Sequence, residues 1–349
     1  MSLTVRAEDL RSSFGSHLRD AEVGHLAGEP LLVVELDDGP DVAELVDSLP
    51  CVVVALDRGA HSGERPPPGD IALTVRPTPP WPWVGDAEGW LARVEDACAA
   101  NPLAAVAMAQ LLRFSPGLSV ADGLVAESVV YSMLQAGPEH RGWLAHRPPV
   151  ARPDDKGPPV LVERRGRCLA VTLNRPDRHN AYSAAMRDAL VVALQIAHAD
   201  RSLEGIELAG AGRSFCGGGD LSEFGTAPDP ATAHAVRVAT GAAVWMHRVS
   251  DRTVARVHGA CIGAGIELAA FAGRVVSAPD TRFCLPEVSM GLVPGAGGTV
   301  SVPRRIGRQR AALLAITGHA LGAGTAQDWG LVDEVAPADD GASADAGGR

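Results

Sequence analysis

No apolar run in this 349-residue chain approaches the roughly 18 residues that a membrane span requires, so no transmembrane helix is expected. The opening MSLTVRAEDLRSSFG lacks the apolar stretch of a secretory signal peptide. The six cysteines (Cys51, Cys98, Cys168, Cys216, Cys261, Cys284) stand far apart and form no Cys-x-x-Cys pair. Most lie in apolar segments such as Pro50-Cys-Val-Val-Val, which reads as core packing in a reducing compartment rather than as disulfides or a zinc site. Positive charge is also in short supply. A formal net charge of −11 argues against a general nucleic-acid binder, while leaving room for a local basic pocket. A cytoplasmic protein without nucleic-acid or membrane partners is expected.

Hydrophobic residues make up 46% and charged residues 21%, the balance of a globular chain rather than a disordered one, long enough for one large or two moderate domains. Leu31-Leu-Val-Val-Glu-Leu and Cys51-Val-Val-Val-Ala-Leu read as buried strands flanking a short helix at about 41–48. Two proline-rich stretches follow, Arg65 to Gly69 and Pro77 to Trp83, which no regular element can contain. Apolar spacing then predicts helices over 87–113 and 119–146. The Pro/Gly-rich run Arg147 to Val160 is the best linker, centred on 151–158. Beyond it, strands at Leu161-Val-Glu, Cys168 to Leu173, Gly205 to Leu208 and Val254 to His258 alternate with a helix capped by Ser183 and another over 231–249. The tail from Pro337 is small and polar, and disorder is expected there.

Three segments carry candidate chemistry. Ser214-Phe-Cys-Gly-Gly-Gly-Asp-Leu follows a strand, and its glycines permit close backbone approach to a ligand, although most such clusters are plain turns. Val257-His-Gly-Ala-Cys-Ile-Gly-Ala-Gly-Ile-Glu-Leu leads from a strand through a tight turn into an apolar helix. The first-turn amides there can hold a phosphate or an oxyanion. Glu267 at this helix start reads either as a glutamate favoured by the macrodipole or, given its apolar neighbours, as an acid with a task. Phe283-Cys-Leu-Pro-Glu-Val-Ser-Met-Gly-Leu-Val-Pro-Gly-Ala-Gly-Gly-Thr holds Glu287, an ordinary first-turn glutamate or a second acid. Its glycine run lacks the Lys-Ser/Thr of a P-loop, which excludes nucleotide hydrolysis by that route.

Taken in order, these segments resemble the crotonase (enoyl-CoA hydratase/isomerase) superfamily from about Val160 to Val335. Asn174-Arg-Pro-Asp-Arg-His-Asn-Ala-Tyr-Ser and the closing Thr317-Gly-His-Ala-Leu and Trp329-Gly-Leu-Val-Asp-Glu-Val complete the series. The resemblance implies an α/β fold with a ββα spiral core and a helical module. It implies an acyl-CoA thioester as substrate, no separate cofactor or metal, and a homotrimer or dimer of trimers. It assigns the oxyanion hole to the amides of Gly219 and Ala264, the second of which replaces the usual glycine. Acid–base work falls to Glu267 and Glu287, and a water site to the amide of Gly295. Arg178, Asn180, Ala181, Gly217, Gly218, Asp220 and Leu221 would lie along coenzyme A, although Arg178 also reads as an ordinary surface arginine. Adding water to a 2-enoyl thioester needs one group to activate water and another to protonate the α-carbon, so two acids favour a hydratase. Isomerisation, decarboxylation, hydrolysis, oxygenation and a non-catalytic acyl-CoA-binding role stay open.

The order of parts departs from that family. Its terminal helical module resembles segments lying upstream here: Ala99-Ala-Asn-Pro-Leu-Ala, Asp122-Gly-Leu-Val-Ala-Glu and Pro138-Glu-His-Arg-Gly-Trp-Leu-Ala-His-Arg-Pro-Pro. The expected organisation is a small α/β segment at 1–86 (a remnant of an earlier core copy), helices at 87–150, a linker at 151–158, the core at 159–336 and a tail at 337–349. The linker would let the helices dock on their own core or on a neighbour's.

Overall fold

The computed structural model describes residues 3–14, 23, 28–36, 41–59, 67–148, 150 and 157–337. Along the chain these form β1 (Leu3–Arg6), α1 (Ala7–Phe14), β2 (Leu31–Leu36), α2 (Ala43–Ser48), β3 (Val52–Asp57) and β4 (Ile71–Thr74). Four helices follow: α3 (Ala87–Ala100), α4 (Pro102–Phe114), α5 (Val120–Gln135) and α6 (Pro138–His146). Then come β5 (Val160–Arg165), β6 (Cys168–Leu173), α7 (Ala184–Ala199), β7 (Gly205–Gly210), α8 (Pro230–Thr240), α9 (Ala243–Arg248), β8 (Thr253–Val257) and β9 (Ala260–Ile262). The last elements are α10 (Ala264–Ala269), β10 (Arg274–Ser277), β11 (Arg282–Cys284), α11 (Gly298–Ile306), α12 (Arg308–Thr317), β12 (Leu321–Gly322), α13 (Ala323–Trp329) and β13 (Glu334–Val335). Among the described residues no single helix is long and apolar enough to cross a membrane.

Two compact units emerge. The first takes the described residues of Met1–Pro148, Ala227–Ala235 and Leu285–His319; the second takes those of Pro149–Thr226, Val236–Cys284 and Ala320–Arg349. The sequence pattern suggested one continuous core over 159–336, but 285–319 groups with the upstream helices. The physical reason is apolar packing: α11 lies against α5, and α12 lies against α3 and α4.

The first unit contains a parallel sheet in the order β1-β2-β3-β4. Every residue of β3 is buried, which explains its unbroken apolar run, because a parallel strand is covered on both faces. Leu10, Val46 and Leu49 join Val34 and Val53 in one core cluster. On α4, Arg113 reaches the sheet: Nε and Nη2 donate to the two Asp70 oxygens at 2.8 and 2.7 Å, and the guanidinium also donates to the carbonyls of Leu49 and Cys51. Asp70 in turn accepts from the Val53 N–H at 2.8 Å. Both side chains are buried, so the pair lies in a low-dielectric setting where each charge depends on the other.

The second unit shows the ββα repetition. Its larger sheet runs β13-β10-β8-β7-β6-β5, parallel except for the β5–β6 hairpin, and a smaller sheet runs β12-β11-β9. Successive turns place one strand in each sheet: β8 and β9, then β10 and β11. Cys216 joins the smaller sheet through a bridge to Cys261. Ser183 caps α7, accepting from the Met186 N–H, as its position before the apolar stripe predicts.

Three expected helices are broken. The stretch 87–113 divides at Asn101-Pro102, where the axis turns by 115°. Proline lacks the N–H the helix needs and drives the preceding residue out of helical geometry, as φ −137° and ψ 66° at Asn101 show. The stretch 119–146 divides at Gly137-Pro138 for the same reason, and 231–249 at Gly241. The short strands β1 and β4 were not anticipated. The expected linker is largely outside the described residues (151–156), as is the tail beyond 337.

Replacing Arg113 by Met leaves the buried Asp70 charge without its bidentate partner. We expect a loss of about 3–5 kcal/mol in unfolding free energy, read from the urea midpoint of the full chain.

Candidate active site

In the second unit, the glycine run 217–219 is threaded between two strands by main-chain bonds. Cys216 donates to the Ala260 carbonyl at 3.0 Å and accepts from the Ile262 N–H at 2.9 Å. On the other side, Gly217 donates to the His179 carbonyl at 2.7 Å, Tyr182 donates to the Gly218 carbonyl at 2.8 Å, and Asp220 donates to the Tyr182 carbonyl at 3.1 Å. A parallel pairing of this kind uses the groups of 218 and 220 and turns the N–H of Gly219 away from Tyr182.

The neighbours leave no room for larger residues. Gly218 has φ +101°. A Cβ at Gly219 would lie 2.9 Å from Phe224 Cε2, and one at Gly265 would lie 2.7 Å from the Cys216 carbonyl oxygen. Gly265 thus lets the start of α10 approach the glycine run closely. Ala264 is the first residue of α10, where an N–H has no acceptor within the helix, and its ordinary helical backbone accommodates the methyl group without strain. Among the described residues, neither the Gly219 nor the Ala264 N–H has a hydrogen-bond acceptor. Two peptide donors, one at each of these neighbouring turns, are therefore available to a ligand.

Glu267 lies one turn along α10 and is 2% exposed. Burial pushes the Cys216 thiol up to about 12, with the Glu267 charge adding to the effect. The Tyr182 phenol is likewise raised, first by burial and in smaller part by the charges of Cys216 and Glu267, while Arg187 and the backbone of Ala242 oppose. The acid thus shares a water-poor environment with a neutral thiol and a neutral phenol.

The residues expected along coenzyme A gather here, but their duties differ. Asn180 is fully buried at φ +53°. Its Oδ1 accepts from the Arg175 N–H at 2.7 Å, and Nδ2 donates to the carbonyls of Ala211, Ser214 and Phe215. The side chain thus braces the strand end that leads into the glycine run. Asp220 is also internal, its Oδ1 accepting from Ser222 N–H and Oγ and its Oδ2 pairing with Arg178. That ion pair ties the Arg178 guanidinium to the end of the glycine run. Ala181 is partly buried, while Gly217 and Leu221 remain exposed.

In the first unit, Glu287 opens the 3-10 turn Glu287–Met290 and is 9% exposed. The turn is fixed from two sides. The Leu292 N–H returns to the Glu287 carbonyl at 3.0 Å, and His140 Nδ1 lies 2.9 Å from the Met290 carbonyl. Gly291 has φ +68°, and a Cβ there would lie 2.5 Å from the His140 main-chain nitrogen. Leu292 and Val293 are wholly buried. Gly295 meets the ring of Tyr131, since a Cβ would lie 2.6 Å from its Cδ2 and Cε2. Glu127 on α5 accepts from Gly297 N–H, Thr299 N–H and Thr299 Oγ1. Sequence reasoning gave Glu127 and Tyr131 no role, although Glu127 closes the family-like Asp122-Gly-Leu-Val-Ala-Glu segment and Tyr131 shares its helix face.

The sequence profile described as enoyl-CoA hydratase/isomerase matches residues 163–344. A 2,3-dehydroadipyl-CoA hydratase of Escherichia coli (strain K12) is 36% identical over 180 residues, covering 52% of this chain and 70% of that protein. A 1,2-epoxyphenylacetyl-CoA isomerase of the same organism is 34% identical over 171 residues, covering 48% and 65%. Among solved structures, a carnitinyl-CoA dehydratase from Mycobacterium avium 104 is 36% identical over 52% of this chain and 71% of that one, with a TM-score of 0.47. The chain belongs to the enoyl-CoA hydratase/isomerase family, within the crotonase superfamily, and is an enzyme of that family acting on an acyl-CoA thioester.

Two outcomes are expected. Asn180→Ala leaves the Arg175 N–H and three buried carbonyls unmet, so stability should fall by about 1–3 kcal/mol on thermal unfolding. His140 is held below its ordinary value of 6.5, chiefly by burial and also by the Arg147 charge, against an opposing bond from Met290. The unfolded chain therefore takes up a proton before the folded one does. Stability should be full above the ordinary imidazole value and decline as pH falls through it toward the lower folded value. His140→Gln should flatten that part of a melting-temperature profile recorded from neutral pH to about pH 5.

Proposed function

We propose that the chain is a hydro-lyase of the enoyl-CoA hydratase type, adding water to, or removing it from, a 2-enoyl-CoA. The observation that carries this reading is the presence of two buried acids, Glu267 and Glu287, each at its family motif and each beside a glycine-rich turn.

The thioester carbonyl oxygen would accept from the N–H groups of Gly219 and Ala264. Those donors oppose the negative charge that builds on oxygen as the enolate forms, at about 3–4 kcal/mol for each strong donor. One carboxylate removes a proton from water as its oxygen bonds to the β-carbon. The other, as the acid, delivers a proton to the α-carbon, giving overall syn addition. The amide of Gly295 would hold the water. Coenzyme A belongs to the substrate and no separate cofactor enters the scheme. The setting for this reading is a cytoplasmic homotrimer or dimer of trimers, without nucleic-acid or membrane partners.

The test is loss of the conjugated thioester absorbance of crotonyl-CoA in the wild type and in Glu267→Gln and Glu287→Gln. Each variant should lose about 10²–10⁴-fold in kcat, since each removes an acid–base group while retaining shape. A wild type inert toward crotonyl-CoA but active on malonyl- or arylacetyl-CoA would replace hydration with another reaction of the family.

A further inference from the structure

We infer that Glu127 and Tyr131, on the helix α5 that precedes the family-matching region, are positioning residues for the loop that carries Gly295. The inference rests on the hydratase reading for what that loop does, and on the geometry for how it is held.

Glu127 is 2% exposed and lies 170 residues in sequence from Gly297, whose N–H it accepts. Its Oε1 accepts from the Gly297 N–H at 2.8 Å, and its Oε2 accepts from the Thr299 N–H at 2.9 Å and from Thr299 Oγ1 at 2.7 Å. Three donors converge on one carboxylate at the start of the nine-residue helix α11, where negative charge is favoured. Gly297 sits at φ +107°, so the chain reverses sharply just before the bonds to Glu127. One helical turn further on, the Tyr131 ring fills the space beside the Gly295 α-carbon. Gly123, one turn earlier on the same helix, abuts Val300 with only 3.0 Å left for a Cβ. A single face of α5 therefore addresses 295, 297, 299 and 300 in succession. Neither side chain touches the reacting atoms in this scheme. Their effect passes through the direction of one peptide N–H.

The consequence is selective. Hydration needs the water held by Gly295, whereas exchange of an α-proton needs only enolate stabilisation and a carboxylate that removes the proton and returns a deuteron taken from solvent. Glu127→Gln preserves size but offers an NH₂ to donors. In the full chain it should lower the ratio of crotonyl-CoA hydration to α-proton exchange of butyryl-CoA in D₂O by about tenfold or more, with KM nearly unchanged. Reduced folding would lower both reactions together and leave the ratio alone. Tyr131→Phe, which keeps the ring, should retain the ratio; Tyr131→Ala should lose it. An unchanged ratio in Glu127→Gln overturns the inference. If the wild type exchanges the α-proton but never hydrates, the hydratase reading fails. The inference is then judged by amide hydrogen exchange of the 294–299 peptide, which should quicken about tenfold in Glu127→Gln with 264–270 unaffected. No change in 294–299 sinks it, whatever the wild type catalyses.

Discussion

The arrangement depends on how main-chain hydrogen bonds are spent around the glycine run. Residues 216–220 lie between the 179–182 segment and β9, and the two pairings use the amides of Cys216, Gly217 and Asp220. Those of Gly219 and Ala264 are left over because a parallel bridge passes over alternate groups and a helix cannot satisfy its own first N–H. Availability is thus a property of topology. The close approach that makes it useful depends on absent side chains, above all at Gly265 against the Cys216 carbonyl.

Much of this could be read from residue order because the relevant signals are local. Three adjacent glycines after a strand, or a Gly-Ala-Gly turn before an apolar helix, restrict the backbone wherever they occur. Ser183 as a cap and the apolar runs of β2 and β3 are equally local, and the structure shows them as expected. The helix breaks at Asn101-Pro102 and Gly137-Pro138 were legible in principle, but apolar spacing continues across them and outweighed the prolines. The strands β1 and β4 have four residues each, too few for alternation to register.

What sequence could not show is pairing over long separations. The family resemblance placed Asn180 along coenzyme A. Only the fold reveals that carbonyls more than thirty residues away absorb its side chain. Arg178 is similar: it read either as a phosphate contact or as an ordinary surface arginine, and only the fold places Asp220 opposite it. Glu127 stands in the Asp122-Gly-Leu-Val-Ala-Glu segment, but no local pattern points 170 residues ahead to Gly297. Polar residues are ambiguous in sequence because the partner decides their role.

The bond between Arg113 and Asp70 has a bearing on how the chain could be shortened. A fragment beginning at α3 would retain every motif that marks the family, so homology alone would nominate it as a minimal enzyme. It would also carry a guanidinium on α4 whose counter-charge, together with the two carbonyls it grips at Leu49 and Cys51, had been cut away. The boundary of a workable truncation is therefore set by electroneutrality inside the protein, not by where recognisable similarity starts.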